Sequence, residues 1–538
     1  MNLSYRPVLK RLAPATVLLV AAGGLTAAGL TAGQASAAAP APALQLVTPV
    51  ATQTIERGKG EDAYLYGLGV YVVAQKAAVE IRTLRTDYTK PIGATLSVGE
   101  GATATKTTLP SSLFTHVDSI DDFFTLGVTN SAGKLVKKVS VPFCPNDYSA
   151  ARAYPDGAPT SPYPYQCGSH PFAIGSVFGI QRGWSVTALN SWQNPASFKG
   201  KDGTYKVTVL INKPWRDALK MTKAQSTGTI NVKVKSVDYN GKAAGSSTAA
   251  SAMADMPGMS MAATGPLSPQ MAALEAARVR ALGHASTPAA SAPTKKLSAK
   301  AVADDAPKPD LRSLPAYQIG LERKIVKGKP TKTTYINFGA TVWNAGPSPL
   351  VVDGFRRPGT KLMDAYQYFF DNSGNEVGSA PAGTLQWDPR VGHQHWHFTA
   401  FASYRLLDST QKTALISGKE AFCLAATDSI NLNVDNADMR PDSTDLSTAC
   451  GEEGALSIRE VLSTGWGDTY SQSRPGQSFD ITKVKNGTYY IEVLANPDSK
   501  LAEGNTTNNR ALRKIKLGGT VGGKRTIKVY DYKGIKAP

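Results

Sequence analysis

Past its first thirty residues the chain has no apolar run that approaches membrane-spanning length. Acidic residues are in deficit, 41 against 59 basic for a formal charge of +18, and histidine and cysteine are scarce, at six and four. Each shortage excludes something. Without a later hydrophobic span the mature protein is expected to be soluble, with no membrane span. The basic excess comes without an aromatic-interleaved basic stripe or a nucleic-acid motif, so no nucleic acid is expected as partner. The charge serves solubility, or attraction to anionic cell-envelope polymers. The early apolar stretch has its own signature: Arg6, Lys10 and Arg11 precede a small, apolar run from Leu12 to Leu30, and Ala35-Ser36-Ala37 offers a cleavage site. Residues 1–37 read as a secretory signal peptide, and the expected location is secreted, extracellular. In that compartment Cys144, Cys167, Cys423 and Cys450 read as disulfides, most simply Cys144 to Cys167 and Cys423 to Cys450, one staple per domain.

Scarce as histidine is, three of the six stand in one run, Gly392-His393-Gln394-His395-Trp396-His397. Along an extended segment side chains alternate faces, so His393, His395 and His397 share one face while Gln394 and Trp396 point away. A flat strand spreads the outer two by roughly 13 Å at about 3.3 Å per residue. Three ligands on one ion therefore need a bend or bulge. Neutral imidazoles without thiolate or carboxylate favour Cu(II) in an aerobic compartment. The competing reading is a surface histidine cluster.

The two halves carry the same landmarks in the same order. Gly69-Val70-Tyr71-Val72-Val73 and Val79 to Arg85 answer Gly339-Ala340-Thr341-Val342-Trp343 and Leu350 to Arg356. Phe143-Cys144 answers Phe422-Cys423, Cys167-Gly168 answers Cys450-Gly451, and Gly183-Trp184 answers Gly465-Trp466. Asp202-Gly203-Thr204-Tyr205 answers Asn486-Gly487-Thr488-Tyr489. Short β-branched and aromatic runs split by Gly, Pro, Asn and Asp lie between. The expected fold is all-β, two tandem β-sandwich domains related by a degenerate internal duplication and joined by a flexible linker. The expected boundaries are 45–238 for the first domain, 239–308 for an Ala, Ser, Pro and Met-rich linker, 309–520 for the second domain and 521–538 for a C-terminal tail. Gln270 to Leu282 suits a short helix. The linker holds Met253, Met256, Met259 and Met261, which read equally as soft Cu(I) donors and as low-complexity sequence.

In the second half, His-Gln-His-Trp-His is followed by Tyr404-Arg405-Leu406-Leu407-Asp408, by Gly418-Lys419-Glu420-Ala421-Phe422-Cys423-Leu424, by Asp468-Thr469-Tyr470 and by Phe479-Asp480-Ile481-Thr482. From about Pro309 to Leu517 this order resembles the lysyl oxidase catalytic domain. The resemblance implies copper on His393, His395 and His397, and a lysine tyrosylquinone cofactor made from Lys419 and Tyr470. It implies a copper/quinone-dependent amine oxidase that uses O₂ to turn peptidyl-lysine or another primary amine into an aldehyde, with hydrogen peroxide and ammonia released. It further implies a calcium site on Asp310-Leu311 and on Glu503, Asn505, Asn508 and Asn509, with Asn505 standing where the family has aspartate.

The pattern departs from the animal family in places. Ser403 stands where another histidine is usual and Gly392 where cysteine is usual. Asp388, Asp408 and Asp468 are the alternatives for the catalytic base. Counting back from the Phe-Cys landmarks, the first half offers Phe114, His116 and Asp118 in place of the three histidines and Ser140 for Lys419; counting on from the Gly-Trp landmarks, it offers Ala188 for Tyr470. It reads as a non-catalytic copy. The alternative for the whole chain is a non-catalytic secreted copper-binding or cell-envelope protein of the same fold.

Overall fold

Strand Thr227–Val237 shows how these sequences make sheets. Gly228, Ile230, Val232 and Val234 are buried, while Thr229, Asn231, Lys233 and Lys235 between them face water. The same two-residue period recurs along Val79–Leu84 and Gly203–Ile211. This computed structural model describes residues 43–190, 196–237, 303–357, 359–389, 394–399, 401–416, 421–471 and 478–535. The signal peptide, the helix expected over Gln270 to Leu282, the methionines Met253, Met256, Met259 and Met261, His393 and Lys419 lie outside the described residues. Among those described the fold is all-β, and the one α-helix is the short Lys213–Ala218.

Three sheets in each half run in matching strand order, although Tyr317–Val326 and Phe479–Asp480 also pair with Lys329–Asn344 in the second half. In the first half one sheet runs Gln45–Val47, Tyr71–Ala74, Trp184–Thr187, Ala151–Arg152. In the second half Leu311–Ser313, Lys329–Asn344, Trp466–Ser471, Asp428–Ser429 takes the same order. A second sheet runs Gly175–Ile180, Val79–Leu84, Gly93–Val98, Thr105–Leu109, answered by Ser457–Leu462, Leu350–Arg356, Leu362–Phe370, Glu376–Asp388. The second half then continues this sheet through two more strands, His395–Thr399 and Ala421–Phe422. In the third sheet Thr227–Val237, Gly203–Ile211, Ile120–Asn130, Leu135–Phe143 matches Arg510–Gly519, Gly487–Ala495, Ala402–Leu407, Thr413–Ile416. Only the outer strand differs: Thr52–Gly58 pairs in parallel, Arg525–Val529 antiparallel. Residues read from sequence as a tail thus supply a sheet edge. The turns before Trp184 and Trp466 both place glycine at positive φ, Gly183 at 76° and Gly465 at 88°, a conformation side chains resist. Both disulfides join the pairs expected from sequence, with Cα separations of 5.9 and 6.0 Å.

Each half has its own core, but the halves pack directly on one another. Tyr163 and Val177 of the first half are buried in the core of the second. At this seam the Ile174 amide donates to the Ile430 carbonyl (2.6 Å), the Leu432 amide to the Gly175 carbonyl (3.0 Å) and Asn433 Nδ2 to the Thr83 carbonyl (2.8 Å). Arg440 lies 4.0 Å over the Tyr165 ring and donates to the Tyr163 carbonyl. Near the C-terminus, the Tyr88 amide donates to the Lys533 carbonyl at 3.0 Å and Tyr532 packs on Tyr88.

Candidate metal centre

The strand His395–Thr399 pairs antiparallel with the end of Glu376–Asp388, placing His397 opposite Gln386, Trp396 opposite Trp387 and His395 opposite Asp388. Alternation sorts the side chains as the sequence requires. Trp396 is fully buried, donates from its indole nitrogen to the Glu452 carbonyl (2.9 Å) and lies under Arg356. On the other face the rings of His395 and His397 meet at 72°, with their Nε2 atoms 2.8 Å apart. Immediately before the strand, Gln394 has φ of 27°, so the backbone turns sharply between positions 393 and 395. A bend there is what converging side chains demand. Behind His397, Asp388 sets Oδ2 3.5 Å from Nδ1, both side chains being buried. A carboxylate on Nδ1 orients an imidazole so that Nε2 faces outward, the usual arrangement behind a metal-binding histidine.

The neighbouring strand Ala421–Phe422 begins two residues beyond Lys419 and pairs Phe422 with Phe398. Phe422 is fully buried and meets the Tyr470 ring edge-on at 4.8 Å. The Tyr470 hydroxyl donates to the Cys423 carbonyl at 2.8 Å, and the Trp396 amide donates to the Cys450 carbonyl at 3.1 Å. The Cys423–Cys450 disulfide therefore ties the strand bearing the tyrosine to the strand bearing the histidines. Glu460, buried beside the two sulfurs, accepts from the Leu424 amide at 3.0 Å. With both cysteines oxidised that trio braces a loop and offers no thiolate to a metal. Sequence reasoning did not single out Glu460; it sits in an ordinary alternating strand.

The three aspartates part company. Asp468 is buried on Trp466–Ser471, two residues from Tyr470 and on its face of the strand. Asp388 stands behind His397. Asp408 instead accepts from the Thr410 hydroxyl and from the Lys412 and Thr410 amides in the turn between Ala402–Leu407 and Thr413–Ile416, and these bonds, the hydroxyl's first, hold its carboxyl below the usual range.

At the start of this half, Asp310, Leu311, Glu503, Asn508 and Asn509 come together. The Leu311 amide donates to Glu503 (2.9 Å), Asn509 donates to Glu503 (2.7 Å) and Asn508 donates to Asp310 (2.9 Å). Arg312 grips the other side of Asp310 at 2.7 and 2.8 Å. Burial raises the Glu503 pKa. The amide oxygens of Asn508 and Asn509 are buried and find no hydrogen-bond donor among the described residues. Asn505 stays apart, accepting from Thr507 in a tight exposed turn.

Two imidazoles backed by a carboxylate, one strand in from the edge of a sheet in an all-β body, are an arrangement able to hold a metal ion. Comparison with known proteins narrows the class: residues 361–526 match the lysyl oxidase family. The matched segment carries a lysyl oxidase domain. It is 34% identical over 125 residues to protein-lysine 6-oxidase of Sus scrofa, covering 23% of this chain and 44% of that protein. The Homo sapiens protein-lysine 6-oxidase is equally similar over 26% of its length. Lysyl oxidase homolog 2A of Danio rerio is 27% identical over 165 residues, 28% of this chain and 20% of that protein. The chain thus spans less than half the length of these relatives.

Proposed function

We propose that the second half is a secreted copper-dependent amine oxidase, converting peptidyl-lysine or other primary amines to aldehydes with release of hydrogen peroxide and ammonia. The supporting observation is the 2.8 Å approach of the His395 and His397 Nε2 atoms, backed by Asp388, one strand away from the segment that anchors Tyr470. The donor set fits copper, since neutral nitrogen ligands without thiolate or carboxylate suit Cu(II). His393 completes the ligand set in this reading.

When bound, copper supplies redox chemistry with O₂, and a quinone derived from Lys419 and Tyr470 supplies an electrophilic carbonyl for the amine. The remaining work falls to this chain's own side chains. Asp388 fixes the His397 ring and leaves Nε2 for the metal. The Cys423 carbonyl accepts the Tyr470 hydroxyl and so fixes where the phenol points, while Phe422 packs against its ring. Asp468, a buried carboxylate on the tyrosine's own strand face, is the group we assign to removing the substrate proton in place of the absent histidine. Asp408 is committed to its turn.

The corner formed by Asp310, Glu503, Asn508 and Asn509 fits calcium, because two carboxylates and two unpaired amide oxygens form an all-oxygen set. Arg312 already neutralises part of Asp310, which lowers the expected affinity. We read the matching strand orders as an internal duplication whose first copy carries no catalysis, and we assign the basic surface to anionic envelope polymers.

Copper loading followed by peptide mass mapping tests the central reading. A covalent Lys419–Tyr470 peptide pair, with amine-dependent peroxide release that Lys419→Ala abolishes, is the expected result. Two unlinked peptides and no peroxide would make this a copper-binding protein without turnover.

A further inference from the structure

The first half reaches into the second through one buried histidine. His170 is 2% exposed and accepts the Phe172 amide on Nδ1 at 3.1 Å. An amide can only donate, so Nδ1 carries no hydrogen and Nε2 does. That Nε2–H donates across the seam to Thr341 Oγ1 at 2.9 Å. Thr341 is itself 2.7 Å from Thr469 Oγ1, and the two residues stand opposite each other on paired strands. The two threonine hydroxyls share one hydrogen bond, and the Thr469 hydroxyl also reaches the buried Asp428 carboxyl. The Thr469 amide donates to Thr427 Oγ1 at 2.9 Å. A run of hydrogen bonds therefore starts on the first half and ends on the strand Trp466–Ser471, at the residue next to Tyr470. Thr469 and Tyr470 point to opposite faces. One face of this strand is held by the first half and the other presents the phenol. The Tyr317 ring, edge-on to His170 at 4.7 Å, closes the side of the run.

We propose that His170 is a positioning residue for Tyr470: the first half acts as a buttress that sets the register and rigidity of the tyrosine strand through Thr341 and Thr469. This rests on the reading of Tyr470 as the cofactor tyrosine, but the buttress itself is measurable without it. Losing one buried hydrogen bond of ordinary strength changes local opening by about fivefold.

The experiment uses the full chain with four variants. His170→Phe keeps an aromatic ring and removes the donor, while His170→Gln returns an N–H near the Nε2 position. Thr341→Val and Thr341→Ser do the same from the other partner, in case His170→Phe does not fold. Two quantities are read: hydrogen exchange of the peptide spanning residues 466–471, and the rate at which the Lys419–Tyr470 link appears after copper addition. Expected is about fivefold faster exchange in that peptide for His170→Phe and Thr341→Val, with Gly487–Ala495 unchanged, slower link formation, and recovery in His170→Gln and Thr341→Ser. If the wild type links and His170→Phe links at the same rate, the buttress is overturned and the oxidase reading stands. If the wild type never links, the oxidase reading falls and exchange decides alone: unchanged exchange overturns the buttress, faster exchange with recovery by the conservative variants upholds it.

Discussion

In the first half, the sheet built on Val79–Leu84 stops at Thr105–Leu109; in the second half the corresponding sheet continues through His395–Thr399 and Ala421–Phe422. Those two added strands carry His395 and His397 and lead away from Lys419. Much of the frame is common to both halves, and the proposed site sits where they differ. Corresponding positions tell the same story. Ala188 bonds its amide to Val70, as Tyr470 stands opposite Ala340, but a buried methyl occupies the place of the phenol. His116 is exposed and turned to Asp121 at 3.3 Å, while Asp118 is buried at the seam, so no nitrogen donors converge there.

The largest expected effect breaks this contrast at its centre. Tyr470→Phe should bring amine-dependent peroxide release to background, whereas Ala188→Gly in the first half should leave it intact. Activity in Tyr470→Phe would detach the phenol from the chemistry. Next come the ligands. His397→Ala should lose the copper measured after dialysis, and Asp388→Asn should weaken binding by about 10–100-fold through the oriented ring. His116→Ala should leave a stoichiometry of one copper per chain. A second copper lost with His116 would mean the first half holds a metal after all.

The disulfides sharpen the comparison further. They close loops of similar length, with sequence separations of 23 and 27, so removing either by paired Cys→Ala substitution should cost about 3 kcal/mol in denaturant unfolding. Only loss of Cys423–Cys450 should also lower copper affinity, because its carbonyls hold both site strands. Equal loss of copper from both variants would reduce that bond to general stability.

What the sequence made legible was local. Two-residue periodicity marked the strands, the cysteine spacing marked the pairs, and alternate histidines marked a shared face, which His395 and His397 occupy. What it hid was tertiary. His170 was one histidine among six, and nothing adjacent to it hints that it ends against Thr341, 171 residues away. Asp388, Asp408 and Asp468 were indistinguishable as letters; packing separates an imidazole's partner, a turn residue and a buried neighbour of Tyr470. Asn505 follows the same rule, since a short polar side chain bonds its own turn when no partner is imposed on it.

The smallest expected effect concerns the seam that joins the halves. Asp118 is buried there, pushed up to about 6 by desolvation, and its Oδ2 has no hydrogen-bond partner among the described residues. Asp428 is buried too and pushed up to about 7, again chiefly by desolvation, with the charges of Asp118 and Asp468 adding to the rise. Arg85, His116 and the Thr469 and Thr427 hydroxyls act against these shifts without cancelling them. Both folded-state values exceed the unfolded value near 4, so the fold binds the proton more tightly than the unfolded chain. Their contribution is therefore complete below about pH 4 and is lost as pH rises through 6 to 7. Unfolding midpoints measured from pH 5 to pH 8 should fall, by on the order of 2 kcal/mol in stability. Asp118→Asn, which keeps the shape and removes the charge, should flatten that slope. A flat profile in the wild type would show that water reaches these carboxyls and that the halves meet more loosely than their packing implies. A slope unchanged in Asp118→Asn would move the effect to Asp428 alone, inside the second half, and leave the seam indifferent to pH.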